Sequence, residues 1–255
     1  MFNAGNHYGD GIIKEYSLRL TKELGKGYSK RSLWLMQKFY ELNEKMQTVS
    51  AYLSYSHYVE LLPYDDLNKV KYYIKIAEEQ NLSIRKLREK IKSNEYERLD
   101  EETRNKLINN EQILVSDFIK EPILINNSYN HTEISEKVLK RLILEDIDNF
   151  LSELGNSFCY IKNEYKIKIG ESYNYIDLLL FNYEYNCFIV VELKITKLKK
   201  EHIGQIEVYM NYIDKNLRKI NQDKTIGIII CKENNEYVIK YSSDSRIISR
   251  KYEVI

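Results

Sequence analysis

The hydrophobic pattern of this chain changes near residue 131, and the change limits the folds that the chain can adopt. From residue 10 to about residue 110, apolar residues recur at helical spacing. Beyond residue 131, short and strongly apolar runs of strand length alternate with helical segments. The pattern predicts an N-terminal all-helical domain followed by an α/β domain with a central mixed sheet.

In the N-terminal half, the periodic segments predict a series of helices. Ser29 and Ser83 are suitable N-caps for two of them, and two further helical patterns cover residues 54–62 and 67–80. The stretch 94–110 is charged and polar, which is typical of a solvated helix or a linker. Pro122 and a polar run follow it. We therefore predict a helical domain at residues 1–110, a linker at 111–131 and the α/β domain at 132–255.

The C-terminal half predicts the order α-β-β-β-α-β-β. A long amphipathic helix is expected at residues 134–154, where Gly155 ends it. The run 233–236 has the composition of a hairpin turn between two later strands. The strands are predicted at residues 158–169, 173–182, 187–193, 225–231 and 237–241, with a second helix at 200–216.

The composition is that of a folded protein, and its net charge does not indicate a ligand. Hydrophobic residues make up 43% of the chain and charged residues 30%, which does not fit a disordered chain. The 39 Lys and Arg residues nearly cancel the 38 Asp and Glu residues, so the net charge is only +1. A nucleic-acid surface would therefore have to come from a local basic patch.

The sequence contains no pattern typical of a membrane span or a secretory signal. No stretch approaches the roughly 18 consecutive apolar residues that a bilayer requires. The three cysteines, Cys159, Cys187 and Cys231, each lie in an apolar segment without the short spacing of a zinc site. We interpret them as core residues of a protein in a reducing cytoplasm.

Charged residues interrupt two neighbouring apolar strands of the predicted sheet. Glu192 and Lys194 are two positions apart in one strand, so both side chains point to the same face. Asp177 lies in the preceding strand, which a short turn makes adjacent. Burying a carboxylate and an ammonium is unfavourable unless they pair or meet a metal. The three side chains are therefore expected to converge on one site.

Two carboxylates and a lysine suit a hard cation such as Mg²⁺, which binds through one or two carboxylates, waters and phosphate oxygens. Such a cation can polarise a phosphodiester and activate water. Lys194 could then orient that water or stabilise the charge that develops on the phosphate. The alternative is a salt bridge on an edge strand, because the Glu-x-Lys tripeptide is common by chance.

Further candidates flank this motif, and each has a plain alternative. Glu145 on the predicted helix 134–154 could add a carboxylate, or it could lie on a solvated helix face. Gln205, at the start of the next helix, could hold a water or a phosphate, or it could be a surface glutamine. His202 could be a general base or a surface group. A basic group beside the motif could contact DNA phosphates or lie in a solvated loop. It consists of Lys197, Lys199 and Lys200.

The C-terminal half resembles the PDDEXK nuclease domain of the YhcG family, and the N-terminal half resembles the helical DUF1016 domain that precedes it there. The nuclease match consists of the segments 150–155, 175–179, 191–194, 204–209 and 226–232. The helical match consists of 27–33, 39–40, 53–58, 72–73 and 83–87. The resemblance covers most of the chain in the right order, and the combination is more specific than any single piece.

This resemblance implies a PD-(D/E)xK restriction-endonuclease-like fold for the second domain. It implies that Asp177 and Glu192 are metal ligands, that Lys194 is the catalytic lysine and that Gln205 is a supporting amide, with Glu145 as a further carboxylate. The implied cofactor is Mg²⁺, with Mn²⁺ as a substitute. The implied partner is DNA, in phage defence or DNA processing, and related architectures act as homodimers. The alternative is a protein of nuclease-like fold that binds DNA or a partner without cutting.

The resemblance begins at Tyr8, Gly9, Asp10 and Gly11. Members of the family generally carry further helices before this point. The resemblance therefore predicts an N-terminally shortened helical domain, whereas the nuclease motif is complete.

Overall fold

The computed structural model of the protein describes residues 10–46, 50, 52–109, 111, 114–155, 157–242 and 244–255. Tyr8 and Gly9, where the family resemblance begins, lie outside the described residues. The chain divides into two compact units, Met1–Tyr96 and Glu97–Ile255. Among the described residues, no helix combines the length and the apolar character that a membrane crossing needs.

The first unit is helical where it is described, as the hydrophobic periodicity predicts. The Ser83 hydroxyl accepts a hydrogen bond from the backbone N–H of Lys86 at 3.3 Å and so caps a helix at the predicted residue. Fully buried side chains such as Tyr73 and Leu87 form its core. The helices are α1 (Asp10–Leu24), α2 (Lys30–Met46), α3 (Tyr55–Leu61), α4 (Leu67–Glu79) and α5 (Ile84–Lys92).

The second unit is built on a six-stranded mixed sheet, so the predicted fold class is confirmed. Its helices are α6 (Glu101–Asn109), α7 (Val115–Phe118), α8 (Glu136–Glu145), α9 (Ile147–Leu154), α10 (Lys200–Asn216) and α11 (Glu236–Lys240). Its strands are β1 (Ile123–Ile125), β2 (Phe158–Ile169), β3 (Ser172–Asn182), β4 (Cys187–Lys197), β5 (Ile226–Glu233) and β6 (Ile247–Val254). The order across the sheet is β1-β6-β5-β4-β3-β2. Strands β2, β3 and β4 pair antiparallel, while β4, β5, β6 and β1 pair in parallel.

Helices cover both faces of this sheet, which explains why its central strands are apolar on both sides. Side chains of α8 and α9 share one core cluster with Val191 and Leu193 of β4. Side chains of α10 share a second cluster with Val190. Helix α10 packs so closely on β5 that a Cβ atom at Gly227 would lie 2.6 Å from Met210 Sδ. Only glycine fits this position without displacing its neighbours.

The long helix predicted at residues 134–154 is instead two helices, α8 and α9, that meet at Asp146. The backbone of Asp146 leaves the helical region, with φ −130° and ψ 52°. Its carboxylate accepts a hydrogen bond from Asn126 Nδ2 at 2.6 Å, and Asn126 directly follows β1. This tertiary contact favours a break that the hydrophobic period does not indicate. Gly155 ends α9, with φ 132°, as expected.

The strand predicted at residues 237–241 is wrong, because this segment forms helix α11. Strands β5 and β6 run parallel, so a hairpin cannot join them and the chain has to cross over between them. Helix α11 lies in that crossover, and the second strand follows at β6.

Residues 111–131, predicted to be a linker, contain α7 and β1. Ile123 and Ile125 are buried in the core of the second unit, and β1 pairs in parallel with β6. Residues 112 and 113 of this segment lie outside the described part of the chain. The two compact units divide earlier, between Tyr96 and Glu97.

Candidate active site

Asp177 and Glu192 lie where strands β3 and β4 separate. The pairing of these strands runs from Asn182 opposite Cys187 to Leu178 opposite Val191. At the next position, carboxylates take the place of backbone acceptors. Asp177 Oδ2 accepts the N–H of Leu193 at 2.9 Å, and Glu192 Oε1 accepts the N–H of Asp177 at 3.4 Å. The two carboxylates are thereby fixed on either side of this fork.

Lys194 lies beside the carboxylate pair and contacts Glu192. Its ammonium lies 3.1 Å from Glu192 Oε2, and its side chain is only 12% exposed. The Glu192 side chain is 2% exposed. The structure thus brings together Asp177, Glu192 and Lys194, the three residues of the sequence motif.

The buried carboxyl of Glu192 has a strongly perturbed pKa. Burial, together with the negative charge of Asp177, raises the pKa of Glu192 to about 7, although Lys194 acts in the opposite direction. Two carboxylates that repel each other in a buried place form a site that favours a positive charge.

Lys140 is a member of this site that the sequence analysis missed. It lies on helix α8, and its ammonium is 2.6 Å from Asp177 Oδ1 and 3.3 Å from Glu164 Oε1. Burial alone would lower the pKa of Lys140, but its contacts with Asp177 and Glu164 raise it overall. The available signal was the position of Lys140 three residues before the buried Ile143, which places a lysine at the edge of the apolar face of the helix.

Strand β2 is distorted beside Asp177. Glu164 has a φ of 48°, which is uncommon for a residue with a side chain. It lies between two residues of β2 that pair with the neighbours of Asp177, since Asn163 pairs with Leu178 and Tyr165 pairs with Ile176. Backbone of this kind concentrates at functional sites. The distortion therefore coincides with the carboxylate pair.

Glu145 lies away from the carboxylate pair. It is the last residue of α8, is exposed and forms an ion pair with Arg141 at 3.6 Å. It follows Lys140 by five residues, which places it about 140° further round the helix. The helix therefore directs Lys140, and not Glu145, towards Asp177.

Gln205 and His202 both lie on α10, the helix that follows the motif. Gln205 Nε2 donates a hydrogen bond to the Tyr209 hydroxyl at 3.1 Å, and its side chain is half-buried. His202 Nδ1 accepts the N–H of Lys199 at 3.2 Å. Burial and the positive charges of Lys194 and Lys199 lower the pKa of His202. This histidine is therefore close enough to Lys194 for their charges to interact.

The three candidate DNA-contact lysines differ in their surroundings. Lys197 forms an ion pair with Glu233. Lys199 and Lys200 are exposed at the start of α10. Their ammonium groups are therefore better placed than that of Lys197 to meet an incoming anion.

The donor set at the fork fits a hard divalent cation that keeps part of its water shell. Within the described part of the chain, no cluster of three or more His, Cys, Asp or Glu side chains could hold a metal ion. Asp177 and Glu192 therefore offer two carboxylates and not a complete protein cage. Mg²⁺ is commonly bound in this way, with waters and substrate phosphates as its other ligands.

Comparison with known families identifies both halves of the chain. Residues 116–254 match the family model of the YhcG PDDEXK nuclease domain. Residues 3–98 match the DUF1016 N-terminal domain. The sequence resemblance is thereby confirmed. The chain is also 25% identical over 264 residues to a protein of Escherichia coli (strain K12) named "Putative nuclease YhcG", and the match covers 89% of this chain and 70% of the relative.

Solved structures with partial similarity include a repair endonuclease from Pyrococcus abyssi, at 21% identity and a TM-score of 0.34. A second is a complex of EndoMS with double-stranded DNA, at 16% identity and a TM-score of 0.34. The matched regions cover 48% and 51% of this chain, respectively, and 48% of each solved chain. This chain thus spans about half the length of those proteins.

Proposed function

This chain belongs to the family of the YhcG PDDEXK nuclease domain, and we propose that it is a metal-dependent endonuclease that hydrolyses phosphodiester bonds in DNA. The observation that carries the proposal is the fork between β3 and β4. There, Asp177 and Glu192 are held on backbone N–H groups while Lys194 contacts Glu192.

Asp177 and Glu192 are the residues that would hold the cation, for which we propose Mg²⁺ with Mn²⁺ as a substitute. When bound, such a cation supplies Lewis acidity to the phosphodiester and lowers the pKa of water. The chain contributes a buried place in which two negative charges already lie close together, as the raised pKa of Glu192 reflects. A positive charge offsets their repulsion, so binding favours the ionised form of both carboxylates.

Lys194 supplies the positive charge that the reaction needs beside the carboxylates. Glu192 fixes its ammonium at 3.1 Å, so the lysine loses little freedom when substrate arrives. From that position, we propose that Lys194 donates hydrogen bonds to a phosphate oxygen or to the attacking water. Charge that develops on the phosphate during hydrolysis would then meet a donor that is already oriented.

The supporting residues hold and align the DNA. Lys199 and Lys200 are exposed at the start of α10 and would bind phosphates without regard to sequence. The Gln205 amide, on the same helix, would support a phosphate or a water. The biological setting that we propose is phage defence or DNA processing in cells.

The test is incubation of the full chain with supercoiled plasmid and with single-stranded DNA, in Mg²⁺, in Mn²⁺ and in EDTA. We expect cleavage that requires the cation and that Asp177→Ala and Lys194→Ala each abolish. Asp148→Ala, which alters an exposed carboxylate on α9, is the matched control and should cleave normally. Linear product without an accumulating nicked form is expected of a homodimer.

Two outcomes would overturn the proposal. One is cleavage in EDTA at the rate seen with the cation. The other is cleavage that survives both Asp177→Ala and Lys194→Ala. Salt-sensitive DNA retention without any cleavage would favour the second function that the sequence leaves open, a DNA-binding protein of nuclease-like fold.

A further inference from the structure

Both carboxylate oxygens of Asp177 have partners within the protein. Oδ2 accepts the N–H of Leu193 at 2.9 Å, and Oδ1 lies 2.6 Å from the ammonium of Lys140. A cation that binds Asp177 through Oδ1 would have to share this oxygen with the ammonium. Two positive charges that share one oxygen repel each other strongly where water is largely excluded. Lys140 and the cation therefore compete for the same acceptor.

Lys140 has a second acceptor within reach, which makes a transfer possible without unpairing its charge. Glu164 Oε1 lies 3.3 Å from the same ammonium, and the Glu164 side chain is 62% exposed. The Lys140 side chain is 18% exposed, and its ammonium already lies within contact distance of both carboxylates. Glu164 lies on the segment of β2 opposite Asp177, between the residues that pair with Leu178 and Ile176.

Lys194 differs from Lys140 in the length of its ion pair and in the element that carries it. It contacts Glu192 at 3.1 Å, a longer separation than the 2.6 Å between Lys140 and Asp177. Its side chain belongs to the strand that carries Glu192, whereas Lys140 reaches the site from helix α8. The two lysines therefore serve different carboxylates: Lys194 pairs with Glu192 within the motif, and Lys140 pairs with Asp177 from the opposite helix.

We propose that Lys140 is the resident counterion of Asp177 in the metal-free protein and that it transfers its ion pair to Glu164 when a divalent cation binds. This inference rests on the proposed function, because it assumes that Asp177 is a metal ligand. Lys140 is a positioning residue in this scheme: it holds Asp177 in place before the cation arrives and sets how tightly the cation binds.

The experiment measures Mn²⁺ and Mg²⁺ affinity by calorimetry on the full chain without DNA, so that no catalytic step is involved. Lys140→Met keeps most of the length of the side chain and removes the competing charge. We expect it to bind Mn²⁺ about tenfold more tightly than the wild type, a change of about 1.4 kcal/mol. Lys137→Met, an exposed lysine on the same helix, is the control and should leave the affinity unchanged.

Glu164→Gln completes a double-mutant cycle that a merely structural role would not satisfy. In the wild-type background it removes the negative charge that would pair with the displaced ammonium, so we expect several-fold weaker Mn²⁺ binding. In the Lys140→Met background it should have little effect, because no ammonium needs a new partner. Lys140→Arg keeps the charge and should bind Mn²⁺ with an affinity close to that of the wild type.

The outcomes separate this inference from the proposed function. If the wild type does not bind Mn²⁺, or if Asp177→Ala binds it equally well, both are wrong. If Asp177 is required but Lys140→Met binds Mn²⁺ no more tightly than the wild type, only the counterion inference is wrong. An equal effect of Glu164→Gln in both backgrounds would overturn the transfer to Glu164. Circular dichroism of each variant confirms that the fold is retained, and Lys140→Gln removes the same charge if Lys140→Met does not fold.

Discussion

The side chain of Asp177 accepts a hydrogen bond from the backbone N–H of Leu193 at 2.9 Å, across the gap where β3 and β4 part. A carboxylate thus replaces the backbone acceptor that a continuous sheet would provide. The residue that we propose as a metal ligand therefore also completes the sheet. Substitutions at Asp177 consequently have two effects, and the choice of variant determines whether they can be separated.

Asp177→Asn should abolish cleavage with only a small loss of stability, whereas Asp177→Ala should abolish cleavage and also lower the free energy of unfolding. The asparagine carbonyl can still accept the N–H of Leu193, while alanine leaves that buried N–H without its acceptor. An unsatisfied buried donor costs about 1–3 kcal/mol. Urea unfolding in EDTA measures the difference, and plasmid cleavage in Mg²⁺ measures the activity. Equal stability of the two variants would show that the hydrogen bond contributes nothing to the fold.

The metal-free protein should become less stable as the pH rises from 5 to 8, and Glu192 should be a principal cause. The pKa of Glu192 is raised to about 7 in the folded protein, above its ordinary value of about 4.3 in an unfolded chain. The folded state therefore holds a proton that the unfolded state has released. The stabilisation is fully present below about pH 4.3 and is lost as the pH rises through 7. Its size is of the order of 4 kcal/mol.

The comparison that isolates this effect is the wild type against Glu192→Gln, in EDTA, at several pH values. Glutamine does not titrate, so the variant should lose less stability between pH 5 and pH 8. Glu233→Gln removes an exposed carboxylate and should follow the pH profile of the wild type. Parallel profiles for the wild type and Glu192→Gln would show that Glu192 does not hold a proton in the folded state.

Only one of the three thiols should react in the native protein. Cys159 is exposed, so the expected core position is wrong for this residue, whereas Cys187 and Cys231 are buried in the two core clusters. Burial raises the pKa of Cys187 to about 12 and that of Cys231 to about 11, so neither forms an appreciable amount of thiolate at pH 8. Mass spectrometry after brief iodoacetamide treatment should find one label per chain, and none in Cys159→Ser. Unfolding in guanidinium should expose all three thiols, and rapid native labelling of Cys187 or Cys231 would contradict this packing.

The sequence pattern predicts the three antiparallel strands β2, β3 and β4 well, because the first alternates in hydrophobicity and the other two are strongly apolar. The predicted strand 158–169 matches β2, and the strands predicted at 173–182 and 187–193 correspond to β3 and β4 within a few residues. In these strands, charged residues are conspicuous among apolar neighbours, which is how Asp177 and Glu192 could be found. Local patterns of this kind predict strands reliably because the burial of their apolar side chains stabilises those strands in the fold.

Features that depend on contacts distant in sequence could not be predicted in this way. Helix α11 is only five residues long, too short for a helical period to be distinguished from a strand. The break at Asp146 depends on Asn126, and the role of Lys140 depends on which side of α8 faces Asp177. The apolar pattern of α8 places Lys140 at the edge of the buried face, but the sequence alone does not show that this edge faces Asp177.

Among the three candidate DNA-contact lysines, Lys199 and Lys200 should contribute more to DNA affinity than Lys197. Lys197 forms an ion pair with Glu233, so its charge is partly compensated before DNA arrives. The other two ammonium groups are exposed at the start of α10.

Each lost phosphate contact lowers the salt dependence of binding by a slope of about 0.9. We expect the Lys199→Ala/Lys200→Ala double variant to lose a slope of about 2 and Lys197→Ala to lose less than half of that. Fluorescence anisotropy in EDTA, with labelled duplex at several salt concentrations, measures these slopes without cleavage. If Lys197→Ala reduces the slope as much as the double variant does, the DNA path would lie along the end of β4 and not along the start of α10.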